Sequence, residues 1–440
     1  MRKELQFLCT KTSFLVLLGG LSACYTKIQS PVSHFANTNP NSETCSFEFS
    51  EETTQTDLLT HSQNKREANT SSKMMYLPNI CTLSKEEAQM IASLDGNSLA
   101  LPDLHTLDAE TAAVLFQFKG THIMLNALEE LDTEVAQNIA KWEGTHLTMH
   151  GIKSLDIDSA QALSAWRGYG LEMNGLSTIN PEVAQALASI ESDAPWMSYI
   201  LLEGLQELEE ESARGLSQYK GGKLFLNGIK KATPEMMHGL KDYKRTVILN
   251  GVQELDTETA TALSKTDIEF IWFNGLQELE LETARALSSW NGNLTLNGLQ
   301  HLDAEVANEL SLFQGSSLSF ERLEDLGLEA TQALGRFQGK KLNLGGLKNL
   351  DVSQAQALRE FQGTELQLNN IQSLDSHIAE LLGTWNGQYL ELNGLKRLDP
   401  SAAEKLIAFE GTKISMRGLE TLEADIMAQL EKCDCKIRLQ

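Results

Sequence analysis

Cysteine is scarce in this chain: six in 440 residues are too few for a disulfide scaffold. Positive charge is also in deficit, with 36 Lys and Arg against 60 Asp and Glu. The resulting formal charge of −24 repels phosphate backbones and argues against a nucleic-acid partner. Aromatic residues amount to only 6%. Gly-x-Ser-x-Gly, a phosphate-binding P-loop, His-Glu-x-x-His and the dinucleotide fingerprint are all missing. No enzymatic activity and no cofactor are therefore expected. What is there is ordinary: 41% hydrophobic and 22% charged residues, near globular averages, which rules out wholesale disorder.

The first residues belong to no fold. Arg2, Lys3 and Lys11 surround the start of a short apolar run, Phe14-Leu15-Val16-Leu17-Leu18-Gly19-Gly20-Leu21. That run is far below the roughly 20 residues a spanning helix needs and reads as a signal peptide. The segment ends Leu21-Ser22-Ala23-Cys24, which resembles the bacterial lipobox. The resemblance implies cleavage before Cys24, a thioether-linked diacylglycerol on its sulfur and an acylated new N-terminus. Several chains at about 0.8 kcal/mol per buried CH₂ make a durable anchor. Tyr25, where the sorting rule would place Asp for the inner membrane, implies the outer membrane of a bacterial cell envelope, periplasmic or surface-facing. The expected layout is a lipoprotein signal peptide over 1–23, a lipid-anchored tether over 24–73 and a repeat body over 74–440. In residues 25–73, 21 of 49 positions are Ser, Thr or Asn without a helical or strand period. Such a stretch cannot bury enough apolar surface to offset its ordering entropy.

After residue 73 the chain repeats itself. ILLEGLQELEEESARGLSQYKG, LTLNGLQHLDAEVANELSLFQG and LELNGLKRLDPSAAEKLIAFEG are three copies of one unit. Anchored on the Gly of the Asn-Gly-Leu step, 15 copies fall between Asn79 and Gly418, and 11 of the 14 intervals are 24 residues. A period in that range, sustained this long, means a solenoid or a propeller. Each unit opens Leu-x-Leu-Asn-Gly-Leu, an alternation that puts both Leu inward and the x and Asn outward on a strand. An Asp, Thr or Asn then caps a helix of about ten residues. Pro181, Pro234 and Pro400 mark its first position, where a missing N–H costs nothing. The helix ends at an aromatic followed two residues later by a Gly in the C-cap region, as in Trp142-Glu143-Gly144. One strand and one helix per unit cannot build a four-stranded blade. The unit predicts an α/β solenoid, and the greater width of helices bends it with the sheet inside.

In these respects the sequence resembles the leucine-rich repeat superfamily, closest to its 24-residue GALA-like type, whose A-x-x-L-A helix looks like Ala160-Gln161-Ala162-Leu163-Ser164. The resemblance implies a right-handed β/α solenoid of about 15 units with a parallel sheet on its concave face, and binding on that face. It departs at one point. The superfamily's buried Asn is apolar here (Leu176, Leu276, Leu299, Leu395), and the Asn present (Asn174, Asn227, Asn250, Asn274, Asn297) comes two positions earlier. From there it is expected to face outward, without a backbone-bonding ladder.

Eleven of the 28 aromatics occupy one repeat position, from Phe118 to Phe409, and are expected to form a core spine. His122 and His146 share an outward column about one strand spacing apart, with His150 near. The other neighbours, Met124 and Thr148, are poor ligands, so no metal site is expected. Cys45 and Cys81 could pair in an oxidising compartment, and Cys433-Asp434-Cys435 has no second thiol pair for zinc. The outward position between the two strand Leu is mostly polar but reads Leu201, Phe225, Ile248, Trp272 across four units, flanked by Tyr199 and Phe270. The one 29-residue unit borders them and carries Trp196. An exposed apolar patch of that extent is expected to bind something. The expected function is a lipid-anchored cell-envelope interaction protein that holds a protein or polymer partner on the concave face and meets the membrane through its anchor alone. The alternative is a structural envelope protein that self-associates through its solenoid.

Overall fold

Leu at alternate positions, Asn-Gly at the following turn and a capped Ala-rich segment repeat in phase, and each copy folds into one short strand and one short helix. The computed structural model describes residues 74–440 apart from 421–423, 434 and 440. The signal peptide, Cys24, the tether and Cys45 lie outside the described residues. Sixteen strands, from β1 (Met74–Tyr76) to β16 (Lys436–Arg438), form one sheet in strict chain order, and every neighbouring pair is parallel. Register follows the repeat: His122 of β3 (His122–Met124) pairs with His146 of β4 (His146–Thr148), and Ile123 stands opposite Leu147. Fifteen of these strands belong to the 15 expected units, and β16 adds one more.

The helices run six to eight residues, from Lys85–Ala92 to Ala424–Leu430, and are shorter than the ten expected. They end early because the chain tightens to i→i−3 bonds as it reaches the aromatic: Trp166 N–H donates to Leu163 O at 3.0 Å, and Phe409 N–H to Leu406 O at 3.1 Å. Most caps fall where the pattern put them, although Asp132 and Asp303 make no side-chain cap bond and Glu209, Glu280 and Gly327 stand at the N-cap of three helices. Asp108, Asp156, Asn180, Thr233, Asp256, Asp351, Asp375 and Asp399 each accept a backbone N–H of the first helical turn. Pro181, Pro234 and Pro400 stand at the helix starts.

Two expectations are corrected. The Gly after ten of the eleven spine aromatics is not a left-handed helix terminus, since no described glycine has a positive φ. It is needed for space. A Cβ on Gly168 would sit 1.9 Å from Cζ2 of Trp166, and one on Gly363 would sit 2.1 Å from Cζ of Phe361. In ten units the ring folds back over its own glycine, while Tyr243 has Arg245 two residues on. The displaced Asn also makes a ladder after all. Asn227 Oδ1 accepts from Asn250 N–H at 2.9 Å, Asn250 from Asn274 at 3.3 Å, and Asn274 from Asn297 at 3.3 Å. A side chain at the turn after the strand can reach the next unit's backbone, so the ladder survives the two-residue shift.

Between sheet and helices lies one continuous core of strand Leu, helix Ala and Leu, and the aromatic spine. All eleven spine residues are buried. Trp290, Phe313, Phe337, Phe361, Trp385 and Phe409 follow one another with ring centroids 6.0–6.3 Å apart. Trp142 and Trp166 stack at 6.2 Å, nearly parallel.

Candidate functional site

The first and third residues of each strand, and the Asn two positions on, rise from the sheet face as three columns. Alternation therefore puts Tyr199 and Leu201 of β6 (Tyr199–Leu201), Phe225 of β7 (Lys223–Phe225), Ile248 of β8 (Thr246–Ile248), and Phe270 and Trp272 of β9 (Phe270–Trp272) on the face away from the core. The core side takes Leu224, Leu226, Val247, Leu249, Ile271 and Phe273, while Phe225 and Ile248 stand outside that core cluster. The register expected from the sequence is correct.

The expected exposure is not. Ile248 is 0% exposed and Phe225 8%. Phe225 lies edge-on beneath the Tyr199 ring, with centroids 5.7 Å apart. Ile248 stands in pairing register between Phe225 and Trp272, and two large rings one strand spacing away on either side shield it. The accessible apolar surface is thus a set of half-buried side chains, Tyr199, Leu201, Phe270 and Trp272, around a recessed floor. Trp196 and Met197 stand beside it in the segment leading into β6 and are 66% and 60% exposed. Gly222 makes room for that segment, because a Cβ there would lie 2.6 Å from the Trp196 carbonyl oxygen.

The N-terminal flank of the patch is polar and aromatic. His122 and His146 face each other at 5.7 Å, and His146 meets Tyr199 at 6.1 Å across β5 (Gly170–Glu172). Gly170 permits that approach: a side chain there would stand 2.6 Å from the Tyr199 ring and 2.7 Å from His146 Cδ2. Below the rings, Tyr199 OH donates to Glu172 Oε1 at 2.7 Å and Thr148 Oγ1 donates to Glu172 Oε2 at 3.4 Å. Thr148 has one hydroxyl proton, so it accepts from His122 Nε2 at 2.9 Å. Burial, reinforced by His146 and His150, pulls the His122 pKa down to about 4. Burial also takes His150 down to about 4 and lowers His146. His150 is therefore neutral at pH 7, and its 3.6 Å approach to Glu172 is not an ion pair there. Burial raises the Glu172 pKa against the hydrogen bonds from Tyr199 and Thr148. Among the described residues no group of three His, Cys, Asp or Glu side chains is placed to hold a metal ion.

Sequence reading did not single out Gly170, Gly222 or Glu172. Gly170 was visible as a break in a column otherwise filled by larger residues, whereas Gly222 shares its column with Gly292. Nothing in the sequence marks Glu172 as buried, since alternation turns its column away from the core, yet Thr148, Asn343, Gln367 and Ser415 of that column are buried too. Cys433 and Cys435 are joined in a disulfide, and Cys81 is also disulfide-bonded.

A single parallel sheet in chain order, backed by one short helix per unit and an Asn ladder along its turns, defines a leucine-rich-repeat-type β/α solenoid. No known family profile and no curated protein matches the sequence. Solved structures do. A chain in the Toll–Spatzle complex of Drosophila is 14% identical over 76% of this chain and 45% of that one, with a TM-score of 0.44. A chain of the TLR13–ssRNA13 complex is 16% identical over 83% of this chain and 64% of that one, at a TM-score of 0.39. A chain of the mouse RP105/MD-1 complex is 13% identical over 84% and 74%, at 0.48. This protein spans less than two thirds of the first two chains. The likeness is one of general architecture.

Proposed function

We propose that this protein is a lipid-anchored interaction protein of the bacterial cell envelope, attached through Cys24 and binding a protein partner on the sheet face between β5 and β9. One observation carries the binding reading. Trp196 and Met197 stand well exposed at the edge of the longest stretch of that face where aromatic and apolar side chains replace polar ones. Large apolar side chains gathered beside half-buried rings are characteristic of interface anchors, each contributing about 2 kcal/mol or more when buried by a partner. A protein segment offering apolar side chains suits the site best, since Tyr199, Leu201, Phe270 and Trp272 supply rings and methyl groups around a recessed floor. The Leu-Ser-Ala-Cys segment supports the anchor.

The test uses the full chain in a bacterial envelope, with a photo-crosslinking residue at Met197. The expected result is a discrete crosslinked protein that disappears when Trp196→Ser and Trp272→Ser are combined. A crosslink profile unchanged by the two substitutions overturns the site. Crosslinks to glycan alone, or only to a second copy of the chain, overturn the protein partner. Cys24→Ala should abolish incorporation of labelled fatty acid, and a variant that still partitions into detergent and is labelled like the parent overturns the anchor.

A further inference from the structure

The repeat fills one small volume in every unit, where the chain turns from helix to strand. Usually an aromatic ring occupies it and lies over a glycine two residues later: Trp290 over Gly292, just before β10 (Asn293–Thr295), is the 23-residue form. The unit before β9 does it differently. Thr266 takes the ring position, donating its N–H to Leu263 O at 2.9 Å as Trp290 does to Leu287 O, and the glycine position becomes Ile268, which is buried. In that unit Ile268 supplies the bulk that a ring supplies elsewhere, and in the unit before β8 the buried ring of Tyr243 is followed by the exposed Arg245, so glycine is the usual partner of the ring and not an obligatory one.

The unit before β16 uses a third solution. Cys433 stands in the ring position, its N–H donating to Leu430 O at 3.1 Å, and Cys435 stands in the glycine position directly before the strand. Cys433 Sγ lies 3.9 Å from Phe409 O, the carbonyl one repeat back. This is the relation in which Trp142 Nε1 meets Phe118 O and Trp385 Nε1 meets Phe361 O. Cys435 is buried in the core and Cys433 half-buried against it. The Cys433–Cys435 bond therefore fills with two sulfurs the space that a ring fills elsewhere.

We infer that Cys433–Cys435 is a reversible redox site that latches β16 to the array, and that its reaction partner is a dithiol reductant. In the reductive step one thiolate of the dithiol attacks a sulfur of the pair, the S–S bond breaks and a mixed disulfide forms. The second thiol of the dithiol then displaces the remaining cysteine thiolate. Two electrons pass to the protein, each sulfur takes a proton, and the dithiol leaves as a disulfide. Two separate thiols no longer hold the chain closed across the turn. The neighbouring aromatic clasps contain no bond that a dithiol can break, so the change is confined to this unit.

The experiment compares amide hydrogen exchange over 424–438 in the full chain with and without a dithiol, with alkylation and mass spectrometry to count the thiols formed. Cys433→Phe with Cys435→Gly rebuilds the aromatic clasp and leaves the Cys81 disulfide in place, so it separates this bond from that one. In the parent, reduction should expose Cys433 and Cys435 to alkylation and raise exchange at Lys436, whose N–H donates to Thr412 O at 2.9 Å, by roughly tenfold, the order set by closing a very short loop. The Phe/Gly variant should exchange like the oxidised parent whether or not dithiol is present, and Cys433→Ser with Cys435→Ser should exchange like the reduced parent. Reduction that leaves exchange at Lys436 unchanged overturns the latch. A Phe/Gly variant as labile as the Ser/Ser variant overturns the equivalence with the aromatic clasp.

Discussion

Gly292→Ala adds one methyl group, and the structure says where it goes. The new Cβ would stand 2.0 Å from Cζ2 of Trp290 and 2.5 Å from Cε2 and Cη2. Carbon atoms rest about 3.5–4.0 Å apart, so the indole must retreat by about 1.5 Å. It has nowhere to go, being 0% exposed and already packed against Phe313 at 6.0 Å. Overpacking of this kind costs about 1–3 kcal/mol, and expelling the ring costs about 3–5. A local destabilisation of about 2–4 kcal/mol follows. Gly327→Ala is the matched control, because nothing lies within 4 Å of its Cβ and its φ is −58°; it should stay within about 0.5 kcal/mol of the parent. Long repeat arrays do not melt as one two-state unit. Native-state hydrogen exchange at the amides of Asn293 and Leu296 is therefore the right assay. At about 1.4 kcal/mol per tenfold, Gly292→Ala should speed exchange there by roughly 30-fold or more, with Gly327→Ala unchanged at Thr331. Exchange in Gly292→Ala within threefold of the parent would refute the ring-over-glycine argument.

Acidification should weaken the N-terminal flank of the site. His122 and His150 titrate near 4 in the folded protein and near about 6.5 when unfolded. The unfolded chain therefore takes up protons first, and the stability that the neutral rings contribute is lost as pH falls from about 6.5 to about 4. Screening of half-buried rings holds this to roughly 1–2 kcal/mol each. Glu172, raised by burial, acts in the opposite sense and offsets part of the loss. His122→Gln with His150→Gln should flatten the profile of local exchange at Leu125 between those pH values, and an unchanged slope would show that the rings do not control it. Deleting a whole unit, 347–370, should leave a shorter folded array, because each unit contacts only its neighbours. Deleting twelve residues within it should disrupt the local fold, and equal denaturation midpoints for the two deletions would contradict the repeat architecture.

Periodicity carried the architecture, because strand alternation, N-caps and N1 prolines are local and each unit repeats them. Side-chain direction was legible for the same reason: Phe225 and Ile248 do face away from the core. Their depth was not. Burial on a sheet face depends on what stands in the next strand, and the Tyr199 ring over Phe225 is a contact between units. The Asn ladder was misjudged by assuming that the acceptor must come from the interior, whereas a turn-position amide reaches the neighbouring backbone equally well. Glycine at the helix exit was assigned to a backbone conformation when the constraint was the volume of a ring two residues earlier.

The spine has a gap. From Trp290 to Phe409 each ring lies against the next, and Trp142 and Trp166 form a similar pair near the other end. Between these runs two units contribute no ring, one with Ile190 in its place and the other with Thr266. The Thr266 position lies immediately behind β9, the strand that carries Phe270 and Trp272. Ile268 fills that volume with an aliphatic side chain where the two runs have stacked rings, so the joint behind β9 is held by different contacts from those on either side. The place where a partner would grip is thus where the spine changes from ring to branched chain.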